Sequence, residues 1–326
     1  MSKKIVIIGA GSIGSRHLQA IKKVNINIEI YVLDKSEVSL KLAKSRYMEI
    51  KNNKNISKIV FTNKISDLPK CIYLLISATT ASVRYVSTKS ILDLCVVKFI
   101  IFEKFLFSKV QEVNKMRQIL KDNNIKAWVN CNYQIIPFFK NNKYFNSAKL
   151  SMIVHGGNWA FASSAIHFLE LFCYLTKKKI SEIDFDLLGE KVLVSKRSKY
   201  HEFGGTLTAK TKGGDFLVIE SKKDSKKPLY LDLSNSDYLF RLEISKRIAS
   251  LTDFKKKDSQ TKSFKLKFPM QSELSNLYLE EIVKKKNCGL PTYQDCSINH
   301  ISLIKLFKNK LSKDQRYKKR KDILFT

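Results

Sequence analysis

Three short stretches carry residue types able to do chemistry together. In "KIVIIGAGSIGSRH", Lys4 to His17, three glycines stand at G-x-G-x-x-G spacing as Gly9, Gly11 and Gly14. In "FEKF" Lys104 follows Glu103, and in "SSAIHFLE" His167 stands three positions before Glu170. A glycine turn of that form lets a pyrophosphate approach the backbone and rest on free N–H groups at a helix N-terminus. An imidazole titrates near neutral pH, so His167 is suited to take the proton of a hydroxyl group. The ammonium of Lys104 is suited to hold that oxygen and stabilise the alkoxide charge that develops on it. Taken alone, His167 reads equally as a core histidine and Lys104 as a surface lysine; their placement after a buried strand and on the first helix of a second domain makes Lys104 and His167 the expected catalytic pair for hydride removal from a carbinol.

Each group needs an element to hold it. Ile5 to Ile8 is an unbroken β-branched run, which suits a strand buried on both faces of a parallel sheet. Apolar residues at Ile13, Leu18, Ile21 and Val24 follow the glycines, so the turn leads from a strand into a helix. A second run, "IEIYVLD", ends on Asp34, 20 positions past Gly14, where a carboxylate accepts the ribose hydroxyls of an adenosine. NAD is the expected cofactor and NADP the less favoured one. Its expected contacts are Gly9, Gly11, Ser12, Ile13, Gly14, Asp34, Ser77, Thr79 and Glu103. Ser163 or Ser164 is expected to cap the helix that carries His167. That would leave the imidazole in the first turn, where the helix dipole and Lys104 favour its neutral form.

The alternation continues along the chain. Strands are expected at Lys58 to Thr62, Cys71 to Thr79, Val97 to Glu103 and Lys126 to Asn132, with helices at Val83 to Leu94 and Lys109 to Asn123. Strands and helices alternating at this spacing predict a doubly wound parallel sheet. Beyond Pro137 the pattern changes to a strand at Lys149 to Gly157 and an apolar helix at Ser164 to Thr176. Strand-like runs joined by short turns such as "KGGD" (Lys212 to Asp215) come next, then helices near Gln271 to Lys286 and Tyr293 to Lys308. The expected fold is an N-terminal Rossmann domain, residues 1–131. A substrate-binding and oligomerisation α+β domain with an open, mostly antiparallel sheet follows, residues 132–326.

Composition narrows the class. Sixty basic residues against 29 acidic ones give a formal charge of +31, yet only nine of the sixty are arginine. Lysine spread evenly along a chain lacks the arginine forks that phosphate and base recognition favour, so no nucleic-acid partner is expected. The terminal "RYKKRKD", Arg316 to Asp322, reads as a solvated tail. No apolar run approaches the roughly 18 residues of a membrane span, and no leader precedes the first strand, so a cytoplasmic protein is expected. The six cysteines show neither C-x-x-C spacing nor a nearby histidine partner, so neither a metal site nor a disulfide framework is expected.

With these residues in place the chain resembles the glucose-fructose oxidoreductase and inositol dehydrogenase (Gfo/Idh/MocA) family. The resemblance rests on Gly9-x-Gly11-x-x-Gly14 with His17 following, on Glu103-Lys104-Phe105 where the family has Glu-Lys-Pro, and on His167-x-x-Glu170 where it has His-x-x-Asp. Asn158-Trp159 ahead of Ala165 to Phe168 is similar to members encoded with surface-polysaccharide and nonulosonic-acid sugar genes. The resemblance implies an NAD-dependent oxidoreductase acting on a sugar or sugar derivative in glycan or polysaccharide precursor biosynthesis. Asn132, Tyr133, Asn158, Trp159 and Glu170 are the expected sugar contacts.

Three positions depart from the family. Phe105 replaces the proline, so the peptide before it is expected to be trans. Ser163 stands where many members have aspartate, and Arg84 where many have histidine. Two further readings stay open: an epimerase or lyase that oxidises transiently, and a non-catalytic NAD-binding regulatory subunit. The apolar alternation of "GDFLVIESK" and "LYLDLS" on an open sheet face predicts a homodimer or homotetramer.

Overall fold

The computed structural model describes residues 2–146, 148–184, 188–194, 200–222 and 225–313. The basic tail from Arg316 to Asp322 lies outside the described residues. Two compact units divide the described residues: 2–131 with 269–301, and 132–268 with 302–313.

In the first unit the elements run β1 (Lys3–Ile8), α1 (Ser12–Ile21), β2 (Ile28–Leu33), α2 (Glu37–Met48), β3 (Ile56–Thr62), β4 (Cys71–Ser77), α3 (Ala81–Leu92), β5 (Val96–Phe102), α4 (Val110–Asp122) and β6 (Lys126–Val129). The strands form one six-stranded parallel sheet in the order β3-β2-β1-β4-β5-β6, a Rossmann arrangement. The order reverses between β1 and β4, which opens a crevice at the carboxyl ends of those strands. Register brings those ends level, with Ile8 opposite both Leu33 and Ser77, and Ser77 opposite Phe102. Gly9, Asp34, Ala78 and Glu103 therefore all leave the sheet at one edge. Ile5 to Ile8 are at most 1% exposed, as strands covered on both faces must be. The later segment Pro269–Ile301 belongs to this unit and not to the substrate domain assigned to it from sequence. Its turn Gln271–Glu273 and the helix after it pack on α1.

The second unit starts with the short helix α5 (Pro137–Lys140), β7 (Ser151–Gly157) and α6 (Phe161–Thr176), and continues through β8 (Ile180–Asp184), β9 (Leu188–Val194), β10 (His201–Thr211) and β11 (Phe216–Lys222). Its remaining strands are β12 (Tyr230–Ser234), β13 (Tyr238–Glu243), β14 (Ile248–Asp253) and β15 (Gln260–Lys265). The chain then forms α7 (Ser275–Lys285) in the first unit and α8 (Tyr293–Lys313), which runs from the first unit's segment into the second's. The described strands make a nine-stranded sheet in the order β15-β14-β13-β12-β7-β11-β10-β8, with β9 also on β10. All its pairs are antiparallel except β7 with β11. That pair is parallel because α6 and β8 to β10 intervene as a crossover between its strands. Helix α6 packs on β10 and β11.

The β10–β11 hairpin turns at Lys212 to Asp215, where Gly214 takes φ +82°. Asp215, 2% exposed, accepts from Leu150 N at 3.0 Å and Lys178 Nζ at 2.9 Å. Burial alone would raise its carboxyl, but these partners and Thr211 hold it below the usual range.

Candidate functional site

The glycine turn in the first unit divides its work among three residues. Gly9 has φ +89°, and a Cβ there would press on Thr79 N at 2.6 Å, so only glycine lets β1 and β4 converge. A Cβ on Gly14 would collide with the Gly9 carbonyl oxygen, so helix and strand touch at that point. A Cβ on Gly11 meets nothing within 4 Å, so the space beside it is open. Ser12 and Ile13 are exposed at the tip, and no side chain caps α1, which has no acidic residue in its first turn. The turn thus leaves a cradle for an anion on uncapped N–H groups.

Asp34 is anchored beside it. Its Oδ2 accepts from Ala10 N at 2.7 Å and its Oδ1 from Ser36 N at 2.8 Å. Each oxygen keeps acceptor capacity toward solvent, and the carboxylate is fixed against the glycine turn. The residues present therefore fit a dinucleotide with unmodified ribose hydroxyls.

Two of the expected cofactor contacts point elsewhere. Ser77 is fully buried, and its hydroxyl pairs with Thr88 Oγ1 at 2.9 Å, holding α3 on β4. Glu103 is 5% exposed and turns inward. Its Oε1 accepts from His17 Nε2 at 2.8 Å and from Asn130 Nδ2. His17 Nδ1 pairs with Ser275 Oγ at 2.7 Å, and Asn130 donates to Gln271 Oε1 at 2.8 Å. Burial would raise the Glu103 carboxyl, yet His17, Asn130 and Arg84 outweigh it and hold it below its ordinary value. The motif histidine and the motif glutamate are thus partners in one buried network that ties α1 to the end of β5.

Lys104, half-buried, projects from the turn that follows. The Lys104–Phe105 peptide is cis, not trans as expected from the missing proline. The surrounding carbonyls, which the local sequence does not reveal, are gathered by Arg84. Its Nη1 donates to Glu103 O at 2.7 Å, to Leu106 O at 2.9 Å and to Phe105 O, and its Nη2 to Thr79 O. Burial pulls the guanidinium down to about 10, against the opposing effect of Glu103, so it stays charged at neutral pH. Phe105 packs on the buried ring of His300, centroids 4.6 Å apart. Burial lowers His300 to about 3, with Arg84 and Lys104 adding to the shift against the Cys296 carbonyl.

In the second unit His167 stands half-exposed on α6, between buried Ile166 and Phe168. The Tyr133 ring stacks on it at 5.2 Å and 15°, and burial pushes the Tyr133 hydroxyl up to about 12. Trp159 packs edge-on to Phe168 at 5.7 Å and donates from Nε1 to Glu220 O at 2.8 Å. Asn158, exposed with φ +36°, directly precedes it. Glu170 is 5% exposed, and Asn132 opens the 3-10 turn that carries Tyr133.

Helix α6 begins at Phe161, earlier than expected, because Glu202 of β10 accepts from Ala162 N at 2.7 Å and serves the helix end that a serine was expected to cap. His167 consequently lies in the second turn, past the reach of the helix-end dipole. The dipole effect expected for its neutral form is therefore absent.

These two groups sit on a fold with known relatives. The fold is one that dinucleotide oxidoreductases share. UDP-N-acetylglucosamine 3-dehydrogenase GnnA from Acidithiobacillus ferrooxidans matches with a TM-score of 0.68 at 10% identity, over 96% of this chain and 98% of that one. An oxidoreductase from Agrobacterium radiobacter, in complex with NAD+, L-tartaric acid and magnesium, matches at 0.70 and 12%, over 94% and 95%. The super-repressor mutant of Gal80p from Saccharomyces cerevisiae matches at 0.70 and 12%, over 95% and 96%. At such identities the likeness is one of fold. No protein-family model matches the chain, and no curated protein matches it in sequence.

Sequence reasoning did not anticipate Asn130, Gln271, Ser275 and His300. They are distant in sequence, and no local spacing marks them. Arg84 carried a signal, as a basic residue in an otherwise weakly charged helix start, but not its direction. Cys131 Sγ lies 3.9 Å from Cys296 Sγ, and Cys296 Sγ lies 3.5 Å from His300 Nδ1, a histidine partner not expected from the sequence, because the two stand one helical turn apart on α8. Among the described residues no His, Cys, Asp and Glu group has a metal-binding arrangement. Among the described residues no helix is long and apolar enough to cross a membrane.

Proposed function

We propose that this chain is an NAD-dependent oxidoreductase of the Gfo/Idh/MocA type that oxidises a carbinol of a sugar or sugar derivative. The observation that carries the reading is the open space at Gly11 beside the anchored carboxylate of Asp34. A glycine kept for backbone geometry alone would sit in a strained or crowded position, as Gly9 and Gly14 do. GnnA, whose name specifies a nucleotide sugar, and a levoglucosan dehydrogenase in complex with NADH support the substrate class; a place in glycan or polysaccharide precursor biosynthesis is carried forward from the sequence resemblance.

In this reading the Gly9 to Gly14 turn holds the pyrophosphate and Asp34 takes the adenosine ribose hydroxyls. The nicotinamide, when bound, supplies the hydride acceptor. His167 receives the hydroxyl proton on its imidazole, and the stacked Tyr133 holds the ring in one orientation. Lys104 is the group that stabilises alkoxide charge. Trp159, Asn158, Asn132 and Glu170 supply the aromatic face and polar groups that contact the sugar.

The direct experiment follows reduced-nicotinamide absorbance while purified protein and NAD meet a panel of nucleotide sugars. Turnover should appear with one class. His167→Asn and Lys104→Met should each lower it roughly 100-fold with NAD affinity within a few-fold. Wild-type turnover in His167→Asn removes the base assignment. NAD should bind about 10-fold or more tightly than NADP, because the Asp34 carboxylate repels a 2′-phosphate. Equal affinities in calorimetry would remove that assignment.

A second reading has its own support in the likeness to Gal80p, a transcriptional regulator. A regulatory NAD-binding subunit would bind the dinucleotide but turn over no sugar, and His167→Asn would have no effect on its pathway. An enzyme that oxidises transiently would convert sugar without accumulating NADH. The oligomerisation expected from sequence is carried forward as a homodimer or homotetramer formed through the open face of the second sheet.

A further inference from the structure

Arg84 lies in the first turn of α3, 3% exposed, and its guanidinium donates to four main-chain carbonyls. Three of these, Glu103 O, Phe105 O and Leu106 O, bracket Lys104 along the chain. The fourth, Thr79 O, belongs to the segment that leaves β4 at the carboxyl edge of the sheet. One guanidinium thus joins the two peptide segments that follow adjacent strands β4 and β5.

A surface lysine needs no such arrangement. Removing a guanidinium from water is costly, and carbonyl acceptors offset less of that cost than a paired carboxylate would. The planar fork presents five donors in fixed directions, so one side chain is able to engage several carbonyls at once, which a lysine's point charge does not reproduce. Gathering the carbonyls on both sides of Lys104 removes the backbone rotations that would swing its ammonium. Misplacement by about 1 Å is enough to cost on the order of 100-fold in rate.

We propose that Arg84 is a positioning residue: by tying the Thr79 carbonyl to the turn of residues 103–106, it sets where the Lys104 ammonium stands toward the substrate oxygen. The proposal rests on the reading of Lys104 as the group that stabilises alkoxide. Glu103 contributes from the same place, since its inward side chain fixes the start of the turn through His17 and Asn130 while its carbonyl accepts from Arg84. The turn is held from two directions, by its side chain on one side and by its carbonyls on the other.

The test uses the full chain with Arg84→Ala and Arg84→Lys. Amide hydrogen exchange of peptides covering 103–107 should quicken at least about 10-fold in both, while peptides from β1 and α7 keep wild-type rates. On the sugar identified by the panel, turnover should fall roughly 30-fold with KM for NAD within about threefold. Ethylguanidinium should restore at least about a third of the lost turnover to Arg84→Ala and slow its exchange at 103–107. In a Lys104→Met background, Arg84→Ala should cause no further loss of turnover, because it acts through the missing ammonium.

Unchanged exchange at 103–107 overturns the proposal. So does a loss of turnover and NAD affinity in step with the unfolded fraction, an additive loss in the Lys104→Met background, or failure of both variants to fold. If wild-type protein turns over no sugar, the oxidoreductase reading fails by itself. Exchange at 103–107 and its response to ethylguanidinium still decide whether Arg84 holds the turn.

Discussion

Both units pair a histidine with a carboxylate, and the two pairs differ in what surrounds them. In the first unit His17 meets Glu103 at 2.8 Å with side chains 0% and 6% exposed. In the second His155 meets Asp232 at 3.3 Å with side chains 33% and 12% exposed, and Arg241 closes on the same carboxylate with bonds of 2.9 and 2.8 Å. The difference follows from the sheets. A parallel sheet covered on both faces leaves its polar groups only one another, so Glu103, His17, Asn130, Gln271 and Ser275 must form a connected network. A sheet covered on one face lets water serve the other, so Asp232 shares its charge with an exposed arginine. The sealed pair therefore carries folding energy, and the open pair is shared with water.

The largest separation should come from deleting each carboxylate. Glu103→Ala strands His17 and the Asn130 amide in the interior, and the loss should be about 3–5 kcal/mol. Asp232→Ala leaves Arg241 and His155 to water, and the loss should be about 1 kcal/mol or less. Urea denaturation of both variants checks this, and equal losses would break the contrast between sealed and open pairs.

The same contrast explains what the sequence revealed. Ile5 to Ile8, Leu74 to Ile76 and Phe99 to Phe102 are buried on both faces, and their apolar runs were readable without any partner strand. The glycine turn and Asp34 were readable because their chemistry is local. In the second unit β8, β9, β14 and β15 escaped notice. "QTKSFK" of β15 is exposed at five of its six positions, so its strand state comes from pairing with β14 and not from its own pattern. The inward turn of Glu103 was hidden for a similar reason, since its partners His17 and Asn130 lie on α1 and after β6 and are held in turn by Ser275 and Gln271. The start of α6 was misplaced because its cap comes from Glu202, 40 positions from Ala162. Tyr133 and His167 were chosen for separate reasons, and only the fold brings their rings together.

Acid should sharpen the comparison next. His300 in the first unit has a folded value of about 3 against an ordinary 6.5. Between those values the unfolded chain binds a proton that the folded one refuses, so stability falls as pH drops from 6.5 toward 3. Glu103, lowered from 4.5, contributes stability above that pH and loses it as pH falls through its lowered folded value. In the second unit Asp215 behaves likewise, but only below its ordinary 3.8. Lowering pH from 7 to 4.5 should therefore cost roughly 2–3 kcal/mol through His300. His300→Leu should be less stable at pH 7 but should lose that much less over the same interval. Denaturant midpoints at the two pH values measure it, and parallel slopes for variant and wild type would remove His300 as the source.

The smallest effect on folding should come from the open face, where the expected consequence is association. Register places Ile153 of β7 between Val218 of β11 and Asp232 of β12, with Arg241 of β13 beyond it. Ile153 is 38% exposed, while its chain neighbours Met152 and Val154 are fully buried. Tyr230 stacks on His155 at 5.5 Å and lies 5.9 Å beneath the Arg241 guanidinium. Apolar side chains beside arginine and tyrosine form the composition that protein interfaces favour. Ile153→Lys tests this, because an ammonium across from Asp232 suits the folded strand but brings a solvated charge into an apolar contact. Folding stability should change by about 1 kcal/mol or less, and the mass by light scattering should drop from an oligomer to a single chain. A wild-type chain that is already monomeric at micromolar concentration ends the proposal of an interface here. An oligomer that survives Ile153→Lys unchanged would place its contact on another surface, and the open His155–Asp232 pair would then serve only its own sheet.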